Sequence, residues 1–376
     1  MADNKDKKIL NVPALRFPEF TDEWQHILNK ELFNPVSDKN KDKIITLILS
    51  ASQTEGMIER NNIGIDIKFD ENSVKNYKIV RTGDYVVHLR SFQGGFAFSE
   101  LTGICSPAYT ILRPNKQLQY GFLRAYFMSK KFIDSLRLVT YGIRDGKSIS
   151  VEEWMQLYTN IPSDKEQDKI IKLFNILDER IKLQNKIIEK LETLIKGIRD
   201  YVLNNKLQNT TKKKLGELCT ITTGKLDANA MKSEGLYPFF TCAEDVYRID
   251  SFAFDTEALL VSGNGANLGY IHYYKGKFNA YQRTYVLSNF IEDIHYIQIY
   301  LEAYLHKRIA LEKSTSNTPY IVLATLAEMP IIIPSIKIQK DISNKILILK
   351  SKLITEIYIH NCYKDMRQFL LSQMFI

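Results

Sequence analysis

Ile161-Pro162-Ser163-Asp164-Lys165-Glu166-Gln167 opens a run in which apolar residues fall at Ile170, Phe174, Leu177, Ile181, Ile188, Leu191, Ile195, Ile198 and Val202. The steps alternate between four and three, with Gln184 filling the gap, which is a heptad seam. Ser163 followed by Glu166 reads as a capping box, so the spacing predicts a helix from there to about Asn205, roughly 60 Å long at 1.5 Å per residue. Such a helix is too long to pack on one small domain.

The opening string recurs. Ile333-Pro334-Ser335, with Gln339 after it, stands 172 residues beyond Ile161-Pro162-Ser163 and its Gln167. A second seam follows at Ile342, Ile346, Leu349 and Leu353, then loosens to Ile357, Met366, Leu370 and Met374, with Glu356 and His360 near the stripe. An amphipathic helix lying on its own domain is the ordinary meaning of one such stripe. Two long ones at equivalent places in a duplication favour mutual pairing. Halves related by a pseudo-twofold axis would run these helices antiparallel, each burying the other's seam.

Upstream of each helix the order of elements is strand, turn, strand, turn, strand, helix. The first half predicts strands at 84–92, 95–98 and 108–113 and a helix over 122–138; the second predicts strands at 257–262, 268–273 and 284–288 and a helix over 295–311. Glu31-Leu32-Phe33 after Trp24 answers Glu217-Leu218-Cys219 after Lys212-Lys213-Lys214, yet the heads otherwise differ. The fold class is therefore α+β. Two globular domains, mainly antiparallel β with helices, are separated by two long helices forming an antiparallel coiled coil. The expected boundaries are 1–160 for the first head, 161–207 for the first helix, 208–332 for the second head and 333–376 for the second helix.

The turns carry groups suited to nucleic acid. Arg90, Ser91 and Gln93 lie in one glycine-bearing turn, Asn264 and Asn267 in another; Arg144, Lys147 and Ser148 follow Tyr141, and Gln282 and Arg283 follow Tyr281. Asn and Gln can bond bidentately to adenine and Arg to guanine, while glycine lets the backbone approach phosphate. Glycine and asparagine in a hairpin also serve simply to adopt positive φ. Lys212, Lys213 and Lys225 are candidate phosphate contacts or solvated surface. A net charge of +8 and a pI near 9.0 suit a polyanionic partner without demanding one.

Nothing in the sequence promotes catalysis. Phe33-Asn34-Pro35-Val36 lacks the second proline and the aromatic of an amino-methylating motif and reads as a loop, and residues 263–269 lack the following helix of a phosphate cradle. Asp164, Glu166, Asp168 and Lys169 resemble a nuclease cluster but sit where a helix N-terminus favours acids. Cys105, Cys219, Cys242 and Cys362 form no zinc pattern and suit reduced thiols; His88, His272 and His306 belong to no metal or triad signature. Met1 to Lys8 is charged, no apolar run reaches the length of a membrane span, and the chain is expected in the cytoplasm.

Two dissimilar heads, each followed by a similar long helix, resemble the specificity subunit of Type I restriction-modification enzymes over essentially the whole chain. The string Val12-Pro13-Ala14-Leu15-Arg16-Phe17-Pro18-Glu19-Phe20 with Trp24, the Ile-Pro-Ser-Gln pattern, Gly276-Lys277-Phe278-Asn279-Ala280-Tyr281-Gln282-Arg283-Thr284 and the ending Phe369-Leu370-Leu371-Ser372-Gln373-Met374-Phe375 are similar to that family. The resemblance implies a non-catalytic protein whose heads each read one half of a bipartite, asymmetric site on double-stranded DNA, and whose helices set the unread gap. It further implies two modification (methyltransferase) subunits and restriction/translocase subunits as partners, no membrane partner, and S-adenosylmethionine, ATP and Mg on the partners only. The seam residues Ile170, Phe174, Leu177, Ile181, Ile188, Leu191, Ile195, Ile342, Ile346, Leu349 and Leu353 become candidates for helix pairing and partner contact. A coiled-coil adaptor without sequence-specific DNA binding would keep the helices but has no need of matching turns in both heads.

Overall fold

Tyr85-Val86-Val87 is buried on both of its faces, which is why it reads as an unbroken apolar run rather than an alternating one. Tyr85 and Val87 face an aromatic layer that includes Phe33, Phe96, Phe127 and Trp154, while Val86 joins Leu49, Met57, Val80 and Ile111 on the other side. The computed structural model in which these contacts are seen describes residues 11–52, 55–63, 71–88, 95–141, 148–204, 210–311 and 320–376. The chain divides into one unit of Met1–Asn185 with Tyr358–Ile376 and another of Lys186–Ile357.

In the first unit, Phe33–Val36, Thr110–Pro114, Tyr85–Val87 and Phe96–Phe98 form an antiparallel sheet in that spatial order. Phe33-Asn34-Pro35-Val36 is thus an edge strand, not the loop expected. Proline is tolerated there because an edge strand leaves one row of N–H groups unpaired. In the second unit, Thr220–Thr223, Thr284–Ser288, Phe254–Ser262 and Ile271–Ala280 form the same four-strand order. Tyr237–Phe240 then adds parallel to Ile271–Ala280, and Tyr247–Ile249 completes six strands. The duplication is therefore present in the sheets as well as in the strings, and the heads differ by what is added at one edge.

A two-stranded antiparallel ladder closes each head, Gln25–Leu28 with Tyr158–Ile161 and Thr211–Lys214 with Pro330–Ile333. Ile294–Leu311 is one helix, begun by the Asp293 carboxylate accepting the Tyr296 N–H at 2.8 Å, and it buries Ile297, Leu301 and Leu305 against the sheet. Its expected counterpart over 122–138 is broken into Phe122–Tyr126, Lys130–Ser135 and a 3-10 turn at Leu136–Val139. The break falls at Ser129, whose extended backbone and hydroxyl, accepting the Phe132 N–H, start a new helix.

The long helices run over Asp164–Asn204 and Ile336–Gln373. Each carries a buried glutamine as its fourth residue, Gln167 in one and Gln339 in the other. The capping box expected at Ser163 is not formed. Glu166 instead accepts both Arg16 donors at 2.7 Å, and this bond holds the guanidinium above its ordinary pKa. In the first unit the helices are antiparallel: Phe174 lies 5.9 Å from the Phe375 ring, and one turn later Asp178 takes the Nε of Arg367 at 2.5 Å.

The seam of the last helix does not loosen. The four-and-three alternation continues from Leu353 through Glu356, His360, Tyr363, Arg367, Leu370 and Met374, each half-buried or buried. Ile357 and Met366, expected on the stripe, are 39% and 50% exposed. The register was unbroken, and only its occupants turned polar.

Candidate nucleic-acid interface

The strand Phe254–Ser262 ends beside the start of Thr284–Ser288, with Ser262 opposite Thr284. Between them the turn at Tyr281-Gln282-Arg283 has its backbone committed on several sides. The Gln282 N–H donates to Leu226 O at 2.8 Å, the Thr284 N–H to Tyr281 O at 2.8 Å, and the Gly263 N–H to Arg283 O at 2.9 Å. Tyr320 pairs with Asn264 across an isolated bridge, the Ile321 N–H donates to Gly263 O at 2.8 Å, and the Tyr285 hydroxyl donates to Ile321 O at 2.9 Å. Four segments distant in sequence therefore meet around one turn.

Two glycines permit this. A Cβ at Gly263 would overlap the Arg283 carbonyl oxygen, and one at Gly224 would overlap the carbonyl oxygens of Ala280 and Tyr281. Neither has positive φ, unlike Gly265 and Gly269, so their reason is close approach and not turn geometry. The result is a cavity of about 330 Å³ lined by Thr223, Gly263, Gln282, Arg283, Tyr285 and Tyr320 with Ile321. The Gln282 and Arg283 side chains are exposed, and neither is bonded to another described residue.

Of the residues singled out in the second head, Lys225, Asn264, Gln282 and Arg283 are brought to this place, and Asn267 lies on the same hairpin loop, its carbonyl accepting the Tyr270 N–H. Lys212 and Lys213 are not. They lie on the closing ladder, where Lys213 is 3.8 Å from Glu292 and the next residue, Lys214, is paired with Glu328. In the first head, Arg90, Ser91, Gln93, Arg144 and Lys147 lie outside the described residues, as does the Ser148 side chain. The strands Tyr85–Val87 and Phe96–Phe98 are the equivalents, in the order of their own sheet, of Phe254–Ser262 and Ile271–Ala280 in theirs. Thr223 and Tyr320 were missed, since nothing in their local sequence marks them.

Among the seam residues, Ile170, Phe174, Leu177, Leu191, Ile342 and Ile346 are buried, and Ile181, Ile188, Ile195, Leu349 and Leu353 half-buried. Ile170 and Phe174 share the first unit's core with Leu371 and Met374, and Ile195 packs on the second unit's core beside Ile342 and Ile346. A second stripe stands one residue ahead of this seam on the first long helix. Ile176, Leu183, Ile187, Leu194 and Tyr201 are 40–72% exposed, and a shallow cavity of about 670 Å³ lies along Leu194, Gly197 and Tyr201. Its heptad spacing was legible and was passed over.

Among the described residues no group of three or more His, Cys, Asp or Glu could hold a metal, and no helix is long and apolar enough to cross a membrane. Burial pushes the Cys105 and Cys219 thiols up to about 12, which keeps them protonated and unreactive.

Residues 208–359 match the family model described as Type I restriction modification DNA specificity domain. The specificity subunit of the Type I restriction enzyme EcoDI of Escherichia coli is 44% identical over 132 residues, which cover 35% of this chain and 29% of that relative's length. The crystal structure of the S subunit of a Type I restriction-modification system from M. genitalium superposes with a TM-score of 0.70 at 16% identity, covering 97% of this chain and 99% of the other. A chain of another solved type I R-M system gives 0.54 at 17% identity over 93% and 97%. At these identities the structural likeness establishes the fold.

Proposed function

We propose that this chain, whose residues 208–359 match the Type I restriction modification DNA specificity domain, is the subunit that recognises a bipartite DNA site and carries no catalytic centre of its own. The observation that carries this reading is the repeated four-strand sheet, the same order in both heads with a different edge on each, followed in both by a heptad helix. A chain that must keep one assembly geometry while reading two ligands has reason to repeat its frame and vary its heads. A duplicated enzyme would repeat its reactive groups.

In this reading residues 1–160 and 208–332 are the two target-recognition domains, and residues 161–207 and 333–376 are the spacer helices. The turns holding Arg90, Ser91 and Gln93 in one head and Asn264 and Asn267 in the other face DNA, with Arg144, Lys147, Ser148, Lys225, Gln282 and Arg283 beside them. The seam residues are buried or half-buried, so the partner surface is taken to be the exposed Ile187, Leu194 and Tyr201 of the first long helix. Two modification subunits dock there and bring S-adenosylmethionine; restriction subunits bring ATP and Mg. The complex works in the cytoplasm.

The test is methylome sequencing of cells carrying this chain with a cognate modification subunit, against cells carrying the modification subunit alone. A new bipartite motif with methyladenine in both parts is expected. A soluble complex that adds no motif would overturn the reading in favour of an adaptor.

A further inference from the structure

The cavity beside the Tyr281-Gln282-Arg283 turn has a shape that decides which part of DNA it can hold. Base edges lie recessed on the floor of a groove about 8.5 Å deep, so reading them takes a side chain or loop that protrudes. Phosphates stand out from the duplex and enter a concave seat. This site is concave, about 330 Å³, and is lined by Thr223, Gly263, Gln282, Arg283, Tyr285 and Tyr320 with Ile321. The polar residues among them carry a hydroxyl, an amide, a guanidinium and two phenols, of which the Tyr285 hydroxyl already donates to Ile321 O. Among the described lining residues there is no carboxylate to oppose an anion.

The seat is also rigid. Its turn is fixed by the bonds to Leu226, Gly263 and Tyr281, and the neighbouring strands press on it so closely that Gly224 and Gly263 have no room for a Cβ. A group held this way contributes binding without first losing rotational freedom of the backbone. The Arg283 guanidinium has no partner among the described residues, so it meets an incoming anion without breaking an ion pair.

The geometry points to a backbone-phosphate seat: Arg283, with Thr223, Gln282 and Tyr320, grips a phosphodiester of the duplex and fixes the docking of the second head, while reading no base. This rests on the DNA-recognition reading above and deepens it. Positioning belongs to the concave seat, and base discrimination to the adjoining loop at residues 264–269.

The experiment uses the full chain in complex with its modification subunit on a duplex carrying its methylated motif. Affinity is followed by anisotropy between about 50 and 200 mM salt for the wild type, Arg283→Gln and Thr223→Val, and each variant's methylome is sequenced. Arg283→Gln is expected to weaken binding several-fold at low salt, to reduce the slope of log affinity against log salt by about one, and to leave every motif position unchanged. Inorganic phosphate at constant ionic strength is expected not to compete, because the seat engages phosphate only within a docked duplex. Relaxation of a motif position would assign Arg283 to a base and overturn the seat. An unchanged slope with an unchanged motif would remove it from DNA, and competition by free phosphate would overturn the duplex assignment. A wild-type chain that confers no bipartite motif would instead sink the function proposed above.

Discussion

Gln167 and Gln339 make the same bonds in the two halves of the chain. Each amide donates to the proline carbonyl five residues earlier, Pro162 at 3.1 Å and Pro334 at 2.9 Å, and each side-chain oxygen accepts a backbone N–H from the segment leading into the head's helix, Gln119 at 2.9 Å and Asp293 at 3.0 Å. The second amide proton goes to Gln117 O in one and to the Glu292 carboxylate in the other. Both side chains are at least 99% buried. A helix leaving a sheet can swivel about its first turn, and these amides remove that freedom by tying strand end, helix start and neighbouring loop together.

Gln339→Ala strands the Asp293 N–H and the Pro334 carbonyl without water, so it should lower stability by about 1–3 kcal/mol. Denaturant melts check this as a lower midpoint at unchanged slope. Gln339→Glu is expected to be worse near neutral pH, since it sets a carboxylate beside Glu292, and to recover as pH falls and that pair takes up a proton. Loss that is independent of pH would refute the repulsion.

Arg367 is 11% exposed and its partner Asp178 34%, so removing Asp178 leaves a poorly solvated guanidinium. Asp178→Ala is expected to cost about 1–3 kcal/mol and the double variant with Arg367→Ala less than the sum of the two singles. Additive losses in a double-mutant cycle would mean the pair carries no coupling.

Leu194→Glu with Tyr201→Glu changes two exposed side chains and should leave the melting temperature of the chain within about 1 °C, because surface changes away from special features stay within roughly 0.5 kcal/mol. The same variant is expected not to co-elute with the modification subunit. Normal co-elution would move the partner surface elsewhere.

Thiol alkylation near pH 8 should label Cys362, which is exposed, and spare Cys105 and Cys219, whose burial holds them protonated up to about 12. Mass spectrometry of the native chain reads this directly, and equal labelling of Cys105 and Cys362 would contradict the packing around Cys105.

Much of this fold was legible because heptads and alternation are local signals repeated over many residues. Asp164–Asn204 and Ile336–Gln373 were written in their seams, and Thr284–Ser288 in its aromatic and β-branched residues and flanking turns. What failed did so for identifiable reasons. The apolar residues Ile357 and Met366 suggest a loosened stripe, whereas the register continues through Glu356, His360, Tyr363 and Arg367, the last of them held by Asp178. Ser129 could have been recognised as a helix start, but the apolar residues on both sides of it favoured one continuous helix. The seat around Arg283 joins Thr223 to Tyr320, and no local pattern announces a contact made only when the sheet closes.

The polar stretch of the last seam also decides whom that helix will pair with. Apolar heptads alone do not distinguish one strand from another, so two copies of a helix would zip to each other wherever chains are crowded. Here Asp178 belongs to one helix and Arg367 to the other. Two first helices paired in parallel register would bring Asp178 toward Asp178, and two last helices Arg367 toward Arg367. This ion pair forms only between unlike helices, and their shared chain supplies each with its mate at an effective concentration that separate chains do not reach. Self-recognition within one polypeptide is thus written as an aversion to copies of itself.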